Sequence, residues 1–180
     1  MEDNQSNSRF NLVLGDNGVG KSKYLKEVAM REYPKFGHKP TYNLALAAMD
    51  KYFPGVGIGY RSSRAAIFRV VSRIIANTGK AVVWDNFASD VHYRRLDSHW
   101  SSMISLLEEY DCKMYFTTQS RDVVGSFVRA FQSDAFKHLQ PHVRSLTLYR
   151  TTTGEIKTRI RDYDALYEAV DEGYNVMGGE

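Results

Sequence analysis

The feature that most constrains the fold is a glycine-rich segment that ends in lysine and serine. It reads Gly15-Asp16-Asn17-Gly18-Val19-Gly20-Lys21-Ser22, which matches the phosphate-binding pattern G-x-x-x-x-G-K-S. Residues 10–14 before it are mostly apolar and predict a short buried strand, and apolar residues at helical spacing from Tyr24 to Ala29 predict a helix after it. A strand, this loop and a helix in that order are the context in which such a segment binds phosphate.

The residue types of this loop suit a nucleotide triphosphate. Glycines let the backbone curl around an anion, and N–H groups at the start of the helix point towards it. Lys21 can reach the β- and γ-phosphates, and the Ser22 hydroxyl can ligate magnesium. We therefore predict binding of a phosphate group together with Mg²⁺ by Gly15, Asp16, Asn17, Gly18, Val19, Gly20, Lys21, Ser22 and Lys23. The alternative is a glycine-rich turn without a ligand.

Composition narrows the remaining choices. The 180 residues suit one α/β domain, with ordinary hydrophobic (43%) and charged (25%) fractions. A lone Cys112 excludes a disulfide framework and a cysteine-based zinc site, and a net charge of +3 does not by itself indicate nucleic acid. No apolar run approaches the ~20 residues of a membrane span. We expect a flexible polar tail over 1–8, one domain over 9–180, no membrane association and a cytoplasmic location.

The pattern of elements predicts an α/β fold with a mostly parallel central sheet flanked by helices, followed by a β-hairpin and a short helix. Predicted strands cover 10–14, 81–84 and 113–117, predicted helices cover about 21–32, 61–77, the region from Leu96 to Leu107 and the region from Asp122, and the hairpin joins 143–150 to 155–161. The run 81–84 is continuously apolar, which is typical of a central strand buried on both faces.

Two local assignments are less direct. Residues 41–48 fit a strand or a helix, and we favour the strand because the segment follows Pro40 and precedes Pro54. Ser62 or Ser63 suits the N-cap of the helix that follows.

Polar residues after the later strands complete the predicted site. Asp85 follows an apolar strand, where a carboxylate beside a phosphate loop would hold magnesium with Ser22; the alternative is a cap of the following turn. Asn86 could orient a water molecule, and Gln119 could touch the γ-phosphate. Asp90 is a further nearby carboxylate, for which we favour a solvated turn residue.

The chain resembles the ATPase domain of the ABC superfamily, in the branch of SMC-like and OLD-type ATPases that includes small bacterial and phage-defence ATPases. Five segments carry the resemblance: Gly15–Ser22 resembles Walker A, Tyr60–Ala65 stands at the place of the signature motif, Val82–Asp85 resembles Walker B, Asp85–His92 lines up with the segment ending in the D-loop, and Phe116–Ser120 resembles the strand ending in Thr-Thr-His-Ser. The resemblance implies the fold of a P-loop NTPase.

The departures from that family concern catalysis. Asn86 stands where the family has its catalytic glutamate, and Gln119 stands where it has its switch histidine. Arg64 and Ala65 replace the Gly-Glu or Gly-Gln of the signature motif. Only about forty residues separate Walker A from the signature region, so the arm of larger relatives is missing.

The resemblance also implies a head-to-tail homodimer that sandwiches nucleotide between the phosphate loop of one subunit and the helix start of the other. That helix start contains Ser62, Ser63 and Arg64, and its terminus suits a γ-phosphate. Arg61 or Arg64 would add positive charge in trans, although we favour a solvated surface for these arginines.

Three functions remain in competition. The first is a slow ATPase that serves a partner, such as a nuclease, in DNA maintenance or phage defence. The second is an ATP-dependent switch or scaffold with little or no hydrolysis, and the third and least favoured is a small-molecule kinase. DNA is a further candidate partner, through a basic surface built from Arg61, Arg64, Arg69, Arg73, Arg94 and Arg95. His92 and His99 are interpreted as surface residues of a helix rather than metal ligands.

Overall fold

Strands and helices alternate through most of the chain. The computed structural model describes residues 8–32, 48, 51–53, 61–87 and 93–178. Its strands are β1 (Phe10–Gly15), β2 (Ala81–Trp84), β3 (Lys113–Thr117), β4 (Val143–Arg150) and β5 (Ile156–Asp162). Its longer helices are α1 (Lys21–Glu32), α2 (Arg61–Ala76), α3 (Leu96–Glu109), α4 (Arg121–Gln132) and α5 (Tyr163–Asp171), and short 3₁₀ helices cover Tyr93–Arg95 and Lys137–His142.

The strands form one sheet in the order β2-β3-β1-β4-β5. Three neighbouring pairs run parallel and the β4–β5 pair runs antiparallel. The sheet is therefore mixed, which corrects the prediction of a mostly parallel sheet. The difference has a simple cause: β4, the first strand of the predicted hairpin, pairs in parallel with β1. Strand β5 then joins the same sheet through its antiparallel pairing with β4.

Strand β2 lies at an edge of the described sheet rather than at its centre. Ala81 and Val82 are buried, whereas Val83 and Trp84 are half-buried. Among the described strands, β2 is therefore a partly buried edge strand, which differs from the prediction of a central strand buried on both faces; an apolar run also arises where helices cover an edge strand. Helix α1 contacts β2.

The two faces of the sheet have separate cores. On one face, α1 places Leu25 and Val28 against sheet residues such as Val13 and Tyr115. On the other face, α2, α3, α4 and α5 contribute to a larger core that includes Phe116. The helical spacing of apolar residues predicts each of these helices because one stripe of each is buried.

Three local predictions can be compared with the described residues only in part. Of the segment 41–48 only Ala48 is described, and it is helical. Ser62 and Ser63 lie inside the first turn of α2, which includes Arg61, so neither precedes the helix as an N-cap. The predicted tail lies outside the described residues up to residue 7, and Ser8 is buried, with its hydroxyl 2.8 Å from the side-chain oxygen of Asn11.

Helix α3 buries a histidine for which the sequence predicts a surface position. His99 is 7% exposed, and its ring packs against Phe53 and Phe87 at centroid distances of 5.3 Å and 5.7 Å. Its Nε2 atom is buried without a hydrogen-bond partner among the described residues. The other histidine of that prediction, His92, lies outside the described residues. None of the described helices combines the length and apolar character that a membrane crossing requires.

Burial of His99 makes stability depend on pH. Burial lowers the pKa of His99 from 6.5 to about 4, so the folded state favours the neutral ring. Above pH 6.5 the ring is neutral in both the folded and the unfolded state. As the pH falls towards 4, the unfolded state binds a proton that the folded state does not, so the free energy of unfolding falls, by about 2–3 kcal/mol at pH 4.5. We expect His99→Leu to reduce this acid-induced loss when denaturant unfolding at pH 7 and pH 4.5 is compared with wild type. His138→Gln, a change at an exposed histidine, should keep the loss, and an equal loss in all three proteins would contradict the prediction.

Candidate functional site

The ends of three parallel strands meet at one edge of the sheet. β1 ends at Gly15, β2 at Trp84 and β3 at Thr117, and these strands are neighbours in the order β2-β3-β1. The glycine-rich loop and Asp85 therefore project from the same edge, together with the residues that follow β3. In open α/β sheets, ligands bind at the carboxyl ends of strands.

The loop after β1 has a backbone that glycine alone accommodates well. Gly15, Gly18 and Gly20 have φ values of +138°, +74° and +107°. A Cβ atom at Gly15 would lie 2.4 Å from the carbonyl oxygen of Leu148 in β4, so this glycine is needed for close packing as well as for its conformation. Val19 is buried in the core beneath α1, which anchors the loop from below.

Lys21 closes the loop from inside. Its residue exposure is 8%, and its Nζ atom donates to the carbonyl oxygens of Gly15 at 2.6 Å and Asp16 at 2.8 Å. Burial lowers the pKa of Lys21, while the negative charges of Asp16 and Asp85 act to raise it. An ammonium group has three donors, so these two bonds leave one N–H for a further acceptor.

The start of α1 faces the same edge. Tyr24 N–H donates to the carbonyl oxygen of Gly20 at 2.9 Å, which places the first helical turn directly after the loop. The N–H groups of that turn have no acceptor within the helix. Of the predicted binding residues, Asp16, Asn17, Gly18, Ser22 and Lys23 are exposed. A helix start of this kind attracts an anion.

A chain of hydrogen bonds joins the three strand ends. The Ser22 hydroxyl donates to Oδ2 of Asp85 at 2.6 Å. The Thr117 hydroxyl donates to Oδ1 of the same carboxylate at 2.6 Å. The backbone N–H of Asn86 donates to the Thr117 hydroxyl oxygen at 2.7 Å. Both oxygens of Asp85 are thereby held, one from α1 and one from β3.

The surroundings of Asp85 favour its ionised form. Burial acts to raise the pKa of Asp85, but the hydrogen bonds from Ser22, Thr117 and the backbone of Asn86, with the charge of Lys21, lower it overall. The carboxylate is therefore charged at neutral pH and adds a negative charge beside a buried ammonium group.

Ser22 and Asp85 fit a magnesium ion that also binds phosphate. Hydroxyl and carboxylate oxygens are the hard ligands that Mg²⁺ prefers, and the ion commonly takes one or two protein ligands with water and phosphate oxygens completing its shell. Within the described ranges, no group of three or more His, Cys, Asp or Glu residues forms a metal site on its own. With oxygen ligands from two side chains, this donor set suits an ion whose shell is completed by water and phosphate oxygens.

The two amides predicted to be catalytic lie at this edge and are exposed. Asn86 directly follows Asp85 and has φ +56°, in the left-handed region that asparagine tolerates better than most residues. Gln119 follows the end of β3 by two residues. Asp90 lies outside the described residues, as do the side chains of Ser62, Ser63 and Arg64 in the first turn of α2. The roles assigned to these residues stay predictions.

Thr117 is the site residue that sequence reasoning missed. It lies at the end of β3, in a segment read only for its likeness to a family motif, and no role was assigned to its hydroxyl. The available signal was a hydroxyl residue at the end of a strand parallel to the one that precedes Asp85. That signal becomes useful only when the two strands are known to be neighbours.

Comparison of the chain with protein-family models, with curated proteins and with solved structures gives no match. Assignment of a function therefore depends on the geometry of the strand ends.

The packing of Gly15 predicts a position-specific effect on stability. Gly15→Ala should lower the free energy of unfolding by roughly 2–5 kcal/mol, because the new Cβ meets the Leu148 carbonyl in an unfavourable backbone conformation. Gly18→Ala is the matched control: its φ is also positive but its Cβ would meet nothing within 4 Å, so we expect a loss of roughly 1 kcal/mol. Denaturant unfolding measures both, and equal losses would contradict the packing argument.

Proposed function

We propose that the chain is a P-loop nucleotide-binding domain of the ABC type, which binds Mg-ATP and hydrolyses it slowly. The observation that carries the proposal is the 2.6 Å hydrogen bond from Ser22 to Asp85, at the edge where the loop closed by Lys21 also lies. A glycine-rich turn without a ligand requires neither a buried ammonium group nor an ionised carboxylate beside it.

Each group has a distinct role in this proposal. N–H groups of the loop and of the first turn of α1 hold phosphate oxygens, and Lys21 redirects its donors to the β- and γ-phosphates. Ser22 and Asp85 would hold the metal. Because the Ser22 hydroxyl donates its hydrogen bond to Asp85, the lone pairs of its oxygen would stay available for the ion. Bound magnesium would supply neutralisation of charge between the β- and γ-phosphates.

Slow turnover follows from the two amides. Asn86 can orient a water molecule but cannot accept its proton, and Gln119 adds no positive charge at the γ-phosphate. Loss of one charge-stabilising group typically lowers a rate by ~10²–10³. The same observation favours a second candidate function, an ATP-dependent switch that closes on nucleotide with little or no hydrolysis.

The wider setting is part of the proposal and rests on the sequence resemblance. We propose a head-to-tail homodimer in which Ser62, Ser63 and Arg64 face the nucleotide of the other subunit. Its output would act on an effector protein such as a nuclease, or on DNA, in the cytoplasm where Mg-ATP is abundant. A small-molecule kinase is disfavoured because the pairing of Val82–Asp85 with Phe116–Ser120 resembles the ABC family instead.

Nucleotide binding and hydrolysis test the proposal. We expect wild type to bind ATP more tightly with Mg²⁺ than with EDTA in calorimetry. Lys21→Ala should weaken binding in both conditions, because it removes the ammonium group that faces the phosphates. Asp85→Asn should weaken only the Mg²⁺-dependent part. No binding by wild type in either condition would overturn the proposal.

Single-turnover phosphate release separates the ATPase from the switch. Asn86→Glu should raise the release rate by roughly 10²-fold or more, because it supplies a general base beside Asp85. Asn86→Gln, which lengthens the side chain without adding a base, is the matched control and should leave the rate low. Binding without release in every variant would favour the switch, and transfer of label to a small acceptor would favour the kinase.

A further inference from the structure

Thr117 occupies a special place between the loop and Asp85. It is the last residue of β3, which lies between β1 and β2, and it is 2% exposed. Trp84 pairs with Phe116, so Asp85 is the residue that comes opposite Thr117 just beyond the end of β2. Thr117 also pairs with Val13 in β1. Its side chain therefore projects from the strand that lies between β1, which precedes the glycine-rich loop, and β2, which precedes Asp85.

Thr117 uses both its hydroxyl and its carbonyl group on the segment after β2. The hydroxyl donates to Oδ1 of Asp85 at 2.6 Å and accepts from the N–H of Asn86 at 2.7 Å. The carbonyl oxygen accepts from the N–H of Phe87 at 2.7 Å. Three consecutive residues after β2 are thus bound to one residue of β3.

We propose that Thr117 is a positioning residue for the magnesium site. Its hydroxyl binds one oxygen of Asp85 so that the other oxygen faces Ser22. The same hydroxyl accepts from the N–H of Asn86 and so holds the backbone of Asn86 in its left-handed conformation. This role rests on the proposed function, because it is expressed through Mg-ATP.

The geometry distinguishes this role from simple packing of β3. The hydroxyl has a single proton, which goes to Asp85, and it accepts the N–H of Asn86 at the same time. A valine side chain has nearly the same shape and would preserve the packing, but it would release the carboxylate and this N–H group. Asp85 and Asn86 are exposed, so water can replace the lost partners and the fold should survive. Residues that orient metal ligands typically change metal affinity by roughly 10–100-fold when they are replaced.

The experiment compares Thr117→Val with Thr117→Ser, which keeps the hydroxyl. For the full chain, ATP affinity is measured with Mg²⁺ and with EDTA. The valine variant should lose roughly 10–100-fold in the Mg²⁺-dependent affinity and change less than about twofold in EDTA, and the serine variant should recover most of the loss. Thr118→Val is the matched control: this neighbouring threonine is also 2% exposed, but its hydroxyl accepts from Ser120 instead, so both affinities should stay at wild-type values.

Amide hydrogen exchange gives a readout without nucleotide. In Thr117→Val the Asn86 amide should exchange faster, because it loses the hydroxyl acceptor, while the Phe87 amide should keep its rate, because its carbonyl acceptor remains. The proposal is overturned if wild type shows Mg²⁺-dependent binding and the valine variant matches it, if affinity falls equally in EDTA, if serine does not rescue, or if the Asn86 amide is unaffected. Failure of wild type itself to bind Mg-ATP would instead overturn the proposed function, and this role with it.

Discussion

The arrangement of the strand ends depends on one carboxylate that two hydroxyl groups hold from opposite sides. Asp85 accepts one hydrogen bond from Ser22 in α1 and one from Thr117 in β3, each at 2.6 Å. These bonds connect the segment after β2 to the loop after β1 across a strand that lies between them. Because the carboxylate is also close enough to influence the pKa of Lys21, the local charges are coupled to the same contact. Charged hydrogen bonds of this length are stronger than neutral ones, so these two bonds organise the edge of the sheet.

The curved backbone of the glycine-rich loop carries a conformational cost, and the glycines of its sequence reduce that cost. Gly15 and Gly20 have φ values that residues with a Cβ rarely adopt, and at Gly15 the β4 backbone leaves no room for a side chain. Lys21 then satisfies two loop carbonyl groups, so the curved backbone is stabilised internally. Two of the three donors of this ammonium group bind carbonyl oxygens, so it cannot give all three donors to a phosphate at the same time. Ligand binding would therefore exchange internal bonds of the loop for bonds to the phosphate.

Much of this edge could be predicted from the sequence, because each part depends on local order along the chain. The loop pattern, the strand before Asp85 and the helix stripes are all readable from residue spacing, and the hairpin from its alternation and turn. Other features depended on contacts between distant segments. The mixed character of the sheet follows from β4 pairing with β1, and the burial of His99 follows from packing of α3 against Phe53 and Phe87. A periodic pattern identifies the apolar face of a helix, but it does not reveal a polar residue enclosed by aromatic side chains.

In the proposed function, the rate of turnover would depend on Asn86 more than on the loop. The loop, Lys21, Ser22 and Asp85 are all groups that bind charge, and uniform binding of the ground state and the transition state does not accelerate a reaction. Acceleration requires a group that acts only as the new bond forms, and at the position after Asp85 the chain offers an amide. The backbone of Asn86 is left-handed, and its N–H group donates to the hydroxyl of Thr117. In the proposed function, a site built in this way would retain nucleotide and hydrolyse it slowly.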